Sequence, residues 1–209
     1  MSYLAAKRNS GFTLIELLVV IAIIGILAGV ASFAGSKYYQ QSRDQERQAN
    51  LQKIQVAVEQ YRNKYGRYPE GCRGTDKWSA GQTSSLYRCT DGSNEYIKGI
   101  GEFLSVLPVE NRFRTDGSVT SGSGYLYLVN ADLTSYKIMA SRLVESETVK
   151  QSHPFASCAP GCPAVNVLGN TVCGEGVERF NNSYAVWGGY ASGATEAEVL
   201  NNTNKIWCH

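Results

Sequence analysis

Between Phe12 and Ser36 the chain runs for twenty-five residues with a single charged side chain, Glu16. As an α-helix rising about 1.5 Å per residue, this stretch would span roughly 37 Å, enough to cross a bilayer. No other feature restricts the fold so strongly, because it predicts a long apolar helix at residues 12–36 to which everything else is attached. An ionised carboxylate in hydrocarbon costs about 3 kcal/mol or more, so Glu16 is expected to be functional and to have a partner.

Before the run lies MSYLAAKRNSG, which carries Lys7 and Arg8 and no acid. Positive residues ahead of a first span hold that end in the cytoplasm and send the rest of the chain across. A secretory signal peptide has the same basic start and apolar core. Against it stand the glutamate inside the apolar block and the lack of an A-x-A-like site before charges resume at Lys37.

The six cysteines, Cys72, Cys89, Cys158, Cys162, Cys173 and Cys208, all follow the span. An even number on an exported segment reads as disulfides formed in an oxidising compartment. Six cysteines allow 15 pairings, of which Cys72 with Cys89 is the expected local one. The other four are expected to staple a loop-rich tail. Removing residues 1–11 takes two of the 20 basic residues and none of the 18 acids, leaving no net formal charge and no indication of a nucleic-acid partner.

From Lys37 to Tyr65 neither Pro nor Gly interrupts the chain, so the helix is predicted to continue into water as an amphipathic segment, 37–66. Leu51, Ile54, Val58, Tyr61 and Tyr65 form its apolar stripe at alternating steps of three and four. It should stop near Gly66, ahead of Pro69. Residues 70–95 read as a loop and Glu102 to Leu107 as a helical turn. GYLYLVN (124–130) and SYKIMASRLV (135–144), rich in aromatic and β-branched residues around a turn-forming Asn130 to Thr134, predict an antiparallel hairpin. Further elements are expected at Tyr184 to Trp187 (strand), Thr195 to Leu200 (short helix) and Lys205 to Cys208 (strand). The resulting class is α+β: a long helix packed on a small antiparallel sheet head, residues 67–209.

Gly11-Phe12-Thr13-Leu14-Ile15-Glu16-Leu17, behind a short basic leader and ahead of about twenty apolar residues, resembles the N-terminus of type IV pilins and type II secretion pseudopilins. NKYGRYPEG (63–71) is similar to the end of the long helix in many members. The resemblance implies that a prepilin peptidase cuts between Gly11 and Phe12 and methylates the Phe12 amine. It gives Glu16 a partner, that amine, within the chain or on the next subunit of a filament, with a glutamate snorkelling to headgroups as the plainer alternative. Gly25 and Gly29 form a G-x-x-x-G that suits close helix packing in lipid. Many type IV pilins carry a proline in the later apolar segment; none occurs here before Pro69.

The head offers no catalytic constellation. Its two histidines, His153 and His209, have no nucleophile elbow, paired carboxylates or phosphate loop beside them. Cys158-Ala-Pro-Gly-Cys162 with Cys173, Cys208 and the histidines has zinc-ligand chemistry, but its spacing is not a standard knuckle and export favours disulfides. Leu107-Pro108-Val109-Glu110-Asn111 begins like a pseudopilin segment yet lacks Asp-Pro-Trp-Gly, and no acidic calcium loop follows Glu147. Neither metal nor cofactor is therefore expected. Phe180, Tyr184, Trp187, Tyr190 and Trp207 read as core fillers before they read as a ligand surface.

The expectation is a non-enzymatic filament subunit, made as a single-pass inner-membrane precursor with a cytoplasmic N-terminus. Its implied partners are identical or related pilins, the prepilin peptidase, and a membrane platform with a cytoplasmic ATPase. A pseudopilin of a secretion or DNA-uptake system, and a minor tip pilin acting as an adhesin, are the alternatives.

Overall fold

A computed structural model describes residues 12–82, 84, 86–110, 123–160, 162, 173–174, 176–189 and 206–208. The side chains of residues 30–34 and 178 lie outside the description. The chain divides into two compact units, Met1–Gln40 and Gln41–His209.

The first unit carries the start of α1, a helix that runs from Leu14 to Tyr65. Every described side chain from Phe12 to Gly29 is exposed, Phe12 itself at 82%. The helix therefore shows apolar residues on all sides with nothing covering them. Among the described residues no helix is long and apolar enough to cross a membrane; the described side chains of the apolar run stop at Gly29.

In the second unit α1 lays one face on a four-stranded antiparallel sheet, ordered β1 (Ser79–Ala80), β2 (Gly124–Val129), β3 (Tyr136–Ser141) and β4 (Tyr184–Gly188). This is the α+β arrangement expected. Leu51, Ile54 and Val58 are fully buried, as their spacing predicts. Tyr65, expected on the same stripe, is 49% exposed. The last turn overhangs the edge of the core, where Tyr65 packs against Tyr61 and Phe103 and donates its hydroxyl to Glu102 at 2.9 Å. Gly66 ends the helix with φ of 75°, a left-handed conformation that glycine adopts without penalty, and its N–H donates to the Arg62 carbonyl at 2.8 Å.

The predicted hairpin is β2 and β3, paired from Gly124 with Ser141 to Val129 with Tyr136. Asn130 closes its turn by accepting from the Thr134 and Ser135 N–H groups at 2.8 and 3.0 Å. Strand β4, also expected, pairs with β3 from Tyr184 with Ala140 to Gly188 with Tyr136. Just beyond it Gly189, with φ of 86°, passes so close to Tyr68 and the Thr134 carbonyl that a Cβ would overlap both.

Both faces of the sheet are covered. Tyr127, Val129, Tyr136, Ile138, Ala140 and Tyr184 join the helix in the main core, while Leu126, Met139 and Ala185 meet Trp78, Tyr87 and Trp187 on the other face. There Ile206 and Trp207 also pack on Leu128. Alternation of side chains along each strand puts neighbouring residues into different cores.

Three expectations are corrected. The segment ending at Cys208 is not a strand: Ile206–Cys208 is a turn of 3-10 helix, wedged under the sheet. The turn expected from Glu102 lies earlier, at Ile100–Glu102, because Gly99 takes a left-handed φ of 68° at its start. The 70–95 loop contributes β1 and is crossed by the Cys72–Cys89 disulfide. A short helix, α2 (Glu178–Asn181), has no counterpart in the sequence reading. The Thr195–Leu200 helix lies outside the described residues.

Candidate functional site

The candidate site is the exposed start of α1. Leu14 is its first helical residue and Thr13 stands in the N-cap position. Glu16 Oε2 accepts from the Thr13 N–H at 2.8 Å and from the Thr13 hydroxyl at 2.7 Å. In return, the Glu16 N–H donates to Thr13 Oγ1 at 3.4 Å. This is a capping box, in which threonine and the glutamate three residues later satisfy each other's free backbone donors. Glu16 therefore has a hydrogen-bond partner inside the chain, Thr13. The signal is present in the sequence as T-x-x-E directly ahead of an apolar run, a pairing of backbone donors with side-chain acceptors that a count of opposite charges does not reveal.

Of the other residues singled out, Gly11 lies outside the described residues and Phe12 is exposed just ahead of the cap. A Cβ at Gly25 or Gly29 would meet nothing within 4 Å, so both present bare backbone to the outside. Small, neutral and uncovered positions of this kind let a second helix approach closely.

In the head, charges are used to clamp α1 to the segment after β3. Asp44, 2% exposed, accepts from the N–H groups of Glu145 and Ser146 and from the Ser146 hydroxyl, the last two at 2.7 Å. Arg47 reaches Asp44 at 2.8 Å, Glu110 at 3.0 Å and Glu145 at 2.7 Å. Arg43 pairs with Glu145 as well. The hydrogen bond from Arg43 holds the Glu145 carboxyl below the usual carboxylate range, against the opposing effect of burial. Sequence reasoning missed this cluster because alternating charges on a polar helix look like an ordinary solvated face.

The cysteines form three disulfides: Cys72–Cys89, the expected local pair, Cys158–Cys173 and Cys162–Cys208. The last two tie the tail to itself, and Cys162–Cys208 anchors the Ile206–Cys208 turn. Phe180, Tyr184 and Trp207 are buried in the cores and Trp187 packs partly against them. Tyr190 and His209 lie outside the described residues. His153 accepts from the Phe155 N–H through Nδ1 at 3.1 Å and approaches Glu147 through Nε2 at 3.3 Å. Among the described residues no group of three or more His, Cys, Asp or Glu side chains is gathered as a metal would require.

Comparison with known proteins finds a family motif at the N-terminus and relatives over part of the chain. Residues 6–32 match the prokaryotic N-terminal methylation motif. The chain is 41% identical to the type IV major pilin protein PilA of Myxococcus xanthus over 63 residues, 30% of this chain and 29% of the relative. It is 37% identical to a fimbrial protein of Neisseria meningitidis over 92 residues, 44% of this chain and 49% of the relative. With type II secretion system core protein G of Aeromonas hydrophila it shares 36% identity over 72 residues, 34% of this chain and 49% of the relative. The matched stretch thus spans under a third of the first relative and about half of the other two. No solved structure matches the chain.

Proposed function

We propose that this chain, which belongs through its N-terminal segment to the type IV pilin and type II secretion pseudopilin family, is a structural subunit of a type IV pilus or a closely related filament. The observation that carries the proposal is the start of α1 from Leu14 to Gly29, apolar and uncovered on every side, with one carboxylate in its first turn. So much exposed apolar surface needs a nonpolar medium or copies of itself around it. A membrane before assembly and the core of a filament afterwards supply the two in turn.

In this reading Lys7 and Arg8 keep the leader in the cytoplasm, and a prepilin peptidase cuts between Gly11 and Phe12 and methylates the Phe12 amine. The positive amine formed there becomes a second partner for Glu16, in the same subunit or a neighbour. A charge pair at the one ionic point of an apolar rod fixes the axial register between rods, since any slip buries an unpaired charge. Gly25 and Gly29 let adjacent rods approach. The subunit waits in the inner membrane, and a platform with a cytoplasmic ATPase drives its transfer into the filament, where the disulfide-stapled heads form the outside.

A pseudopilin role is the second reading, supported by the likeness to the secretion core protein. The missing Asp-Pro-Trp-Gly segment and acidic calcium loop favour the pilus. Mass spectrometry of filaments sheared from cells tests the proposal. The expected result is this chain as a main component, beginning at an N-methylated Phe12. Its absence from filaments, or an intact Met1, would overturn it.

A further inference from the structure

The chain has three tryptophans, and all of them pack on the sheet face turned away from α1. Trp207 is buried there, while Trp78 and Trp187 are half-buried. Lys137 of β3 stands on the same face, in register with Leu128 of β2 and Trp187 of β4. It is fully buried and donates from Nζ to the Trp207 carbonyl at 3.0 Å.

Arg179 of α2 reaches these tryptophans with its guanidinium, whose Cζ lies 5.6 Å from the centre of the Trp78 ring. A cation over an indole face is attracted to it, but the contact satisfies no N–H group. Arg179 Nη2 is shut off from solvent and has no hydrogen-bond acceptor. The charges around it are of the wrong sign to help. Burial chiefly lowers the pKa of Arg179 from its ordinary value, with Tyr87 opposing and Arg142 adding to the effect. Lys137 is lowered by burial first and by Arg179 second. Buried donors are nearly always paired, and a buried charge without a partner is costly. What this corner lacks, among the described residues, is a negatively charged acceptor.

We propose that Arg179, seated on Trp78, anchors a binding site for an oxyanion, taken either free or as the carboxylate of an acidic saccharide. The planar fork of an arginine offers paired N–H groups that match carboxylate and phosphate oxygens alike. Arg179 keeps part of its surface in solvent, so a ligand reaches it from outside the head. Arg142 and Lys137 add positive potential around the fork. Beside it, the half-buried rings of Trp78 and Trp187 offer a saccharide an aromatic surface. Every group in the site belongs to one head, so the site stands whether or not the chain enters a filament.

Tryptophan fluorescence of the full-length protein in detergent reads the site directly, because the chain has no tryptophan elsewhere. The protein is titrated at constant ionic strength with inorganic phosphate, with a glucuronic acid oligosaccharide, and with a neutral glucose oligosaccharide of the same length. A saturable change is expected with one or both anions and none with the neutral sugar. A response to phosphate shows that the oxyanion alone suffices; a response to the acidic saccharide alone gives the tryptophans a share in binding. Arg179→Lys keeps the charge and loses the fork, and should weaken binding about tenfold. Arg179→Gln should abolish it, while Arg67→Gln, an exposed position just past the end of α1, should bind as the native protein does. Native emission before titration shows that each variant is folded; if an Arg179 variant is not, the native titration decides, since its signal comes from this face alone. No saturable change with either anion, equal binding of the neutral sugar, or native affinity in both Arg179 variants would overturn the site.

Discussion

Tyr136 of β3 donates its hydroxyl to the Glu59 carboxylate of α1 at 2.8 Å, and Tyr68 donates to the same group at 3.1 Å. The three side chains join the helix, the turn after it and the sheet at one half-buried point, with the Tyr68 and Tyr136 rings 4.6 Å apart. A hydrogen bond to a charged group contributes about 1.5–3 kcal/mol, so Tyr136→Phe is expected to destabilise the head by that amount. Glu59→Ala should cost at least as much, because it leaves two hydroxyls without their acceptor. Glu59→Gln should cost less. Denaturant unfolding of each variant in the same detergent checks the order.

These tyrosines also set an alkaline limit. Burial is the main cause that raises Tyr68 and Tyr125 from 10.0 to about 12, and it raises Tyr136 further. The folded state then keeps protons that the unfolded state releases, so the stability they contribute is fully present below pH 10 and falls as pH rises through 12. At the acid end the sign reverses. Glu145, held low chiefly by Arg43, contributes stability above its ordinary value of 4.5 that is lost as pH falls through its lower folded value. Unfolding midpoints measured across pH should therefore be flat between these windows and decline beyond each. A midpoint that rises above pH 10 would contradict the tyrosine assignment.

Asp44→Ala is expected to be among the most damaging substitutions in the head. It leaves the Glu145 and Ser146 N–H groups without their acceptor and removes one partner of nearly buried Arg47. Breaking a buried pair in this way costs about 3–5 kcal/mol. Asp44→Asn should recover part of the loss, since its amide oxygen still accepts from one N–H. Thermal unfolding of the two variants side by side measures the difference.

Among the disulfides, Cys162–Cys208 closes the longest loop, with a sequence separation of 46 against 17 and 15 for the others. Chain entropy alone gives it about 4 kcal/mol and each of the others about 3. Replacing both Cys162 and Cys208 with serine should therefore release the Ile206–Cys208 turn and lower stability more than the equivalent change at Cys72 and Cys89. Limited proteolysis should show cleavage near the C-terminus in the first variant only.

The capping box sharpens what a change at Glu16 reports. Glutamine also suits the third helical position, so Glu16→Gln keeps the hydrogen bonds with Thr13 and removes only the charge. Thr13→Ala keeps the charge and the backbone hydrogen bond and removes the two made by the hydroxyl, at about 1 kcal/mol of helix-start stability. If Glu16 acts through its charge, Glu16→Gln and Glu16→Ala should both give cleaved, membrane-held subunits that fail to assemble, while Thr13→Ala assembles. Equal filament yield from Glu16→Gln and the native chain would reduce Glu16 to a helix cap.

Much of the architecture is local in origin and could be read directly. The apolar run, the uninterrupted helix to Tyr65, its arrest at Gly66 and the strands around Asn130 all follow from residue type and spacing over a few turns or one hairpin. Thr13 with Glu16 was equally local, three residues apart and visible as a motif. The clamp at Asp44 and Arg47 was not, because it exists only when residues a hundred positions away fold back onto α1. The same holds for the Cys162–Cys208 pair and for the choice of a 3-10 turn over a strand at Ile206–Cys208. By itself the sequence determined where backbone propensity and apolar period point. Tertiary structure decided which polar groups are buried, which cysteines meet and that both faces of the sheet are covered, since each depends on many weak contacts between distant segments that no short window contains.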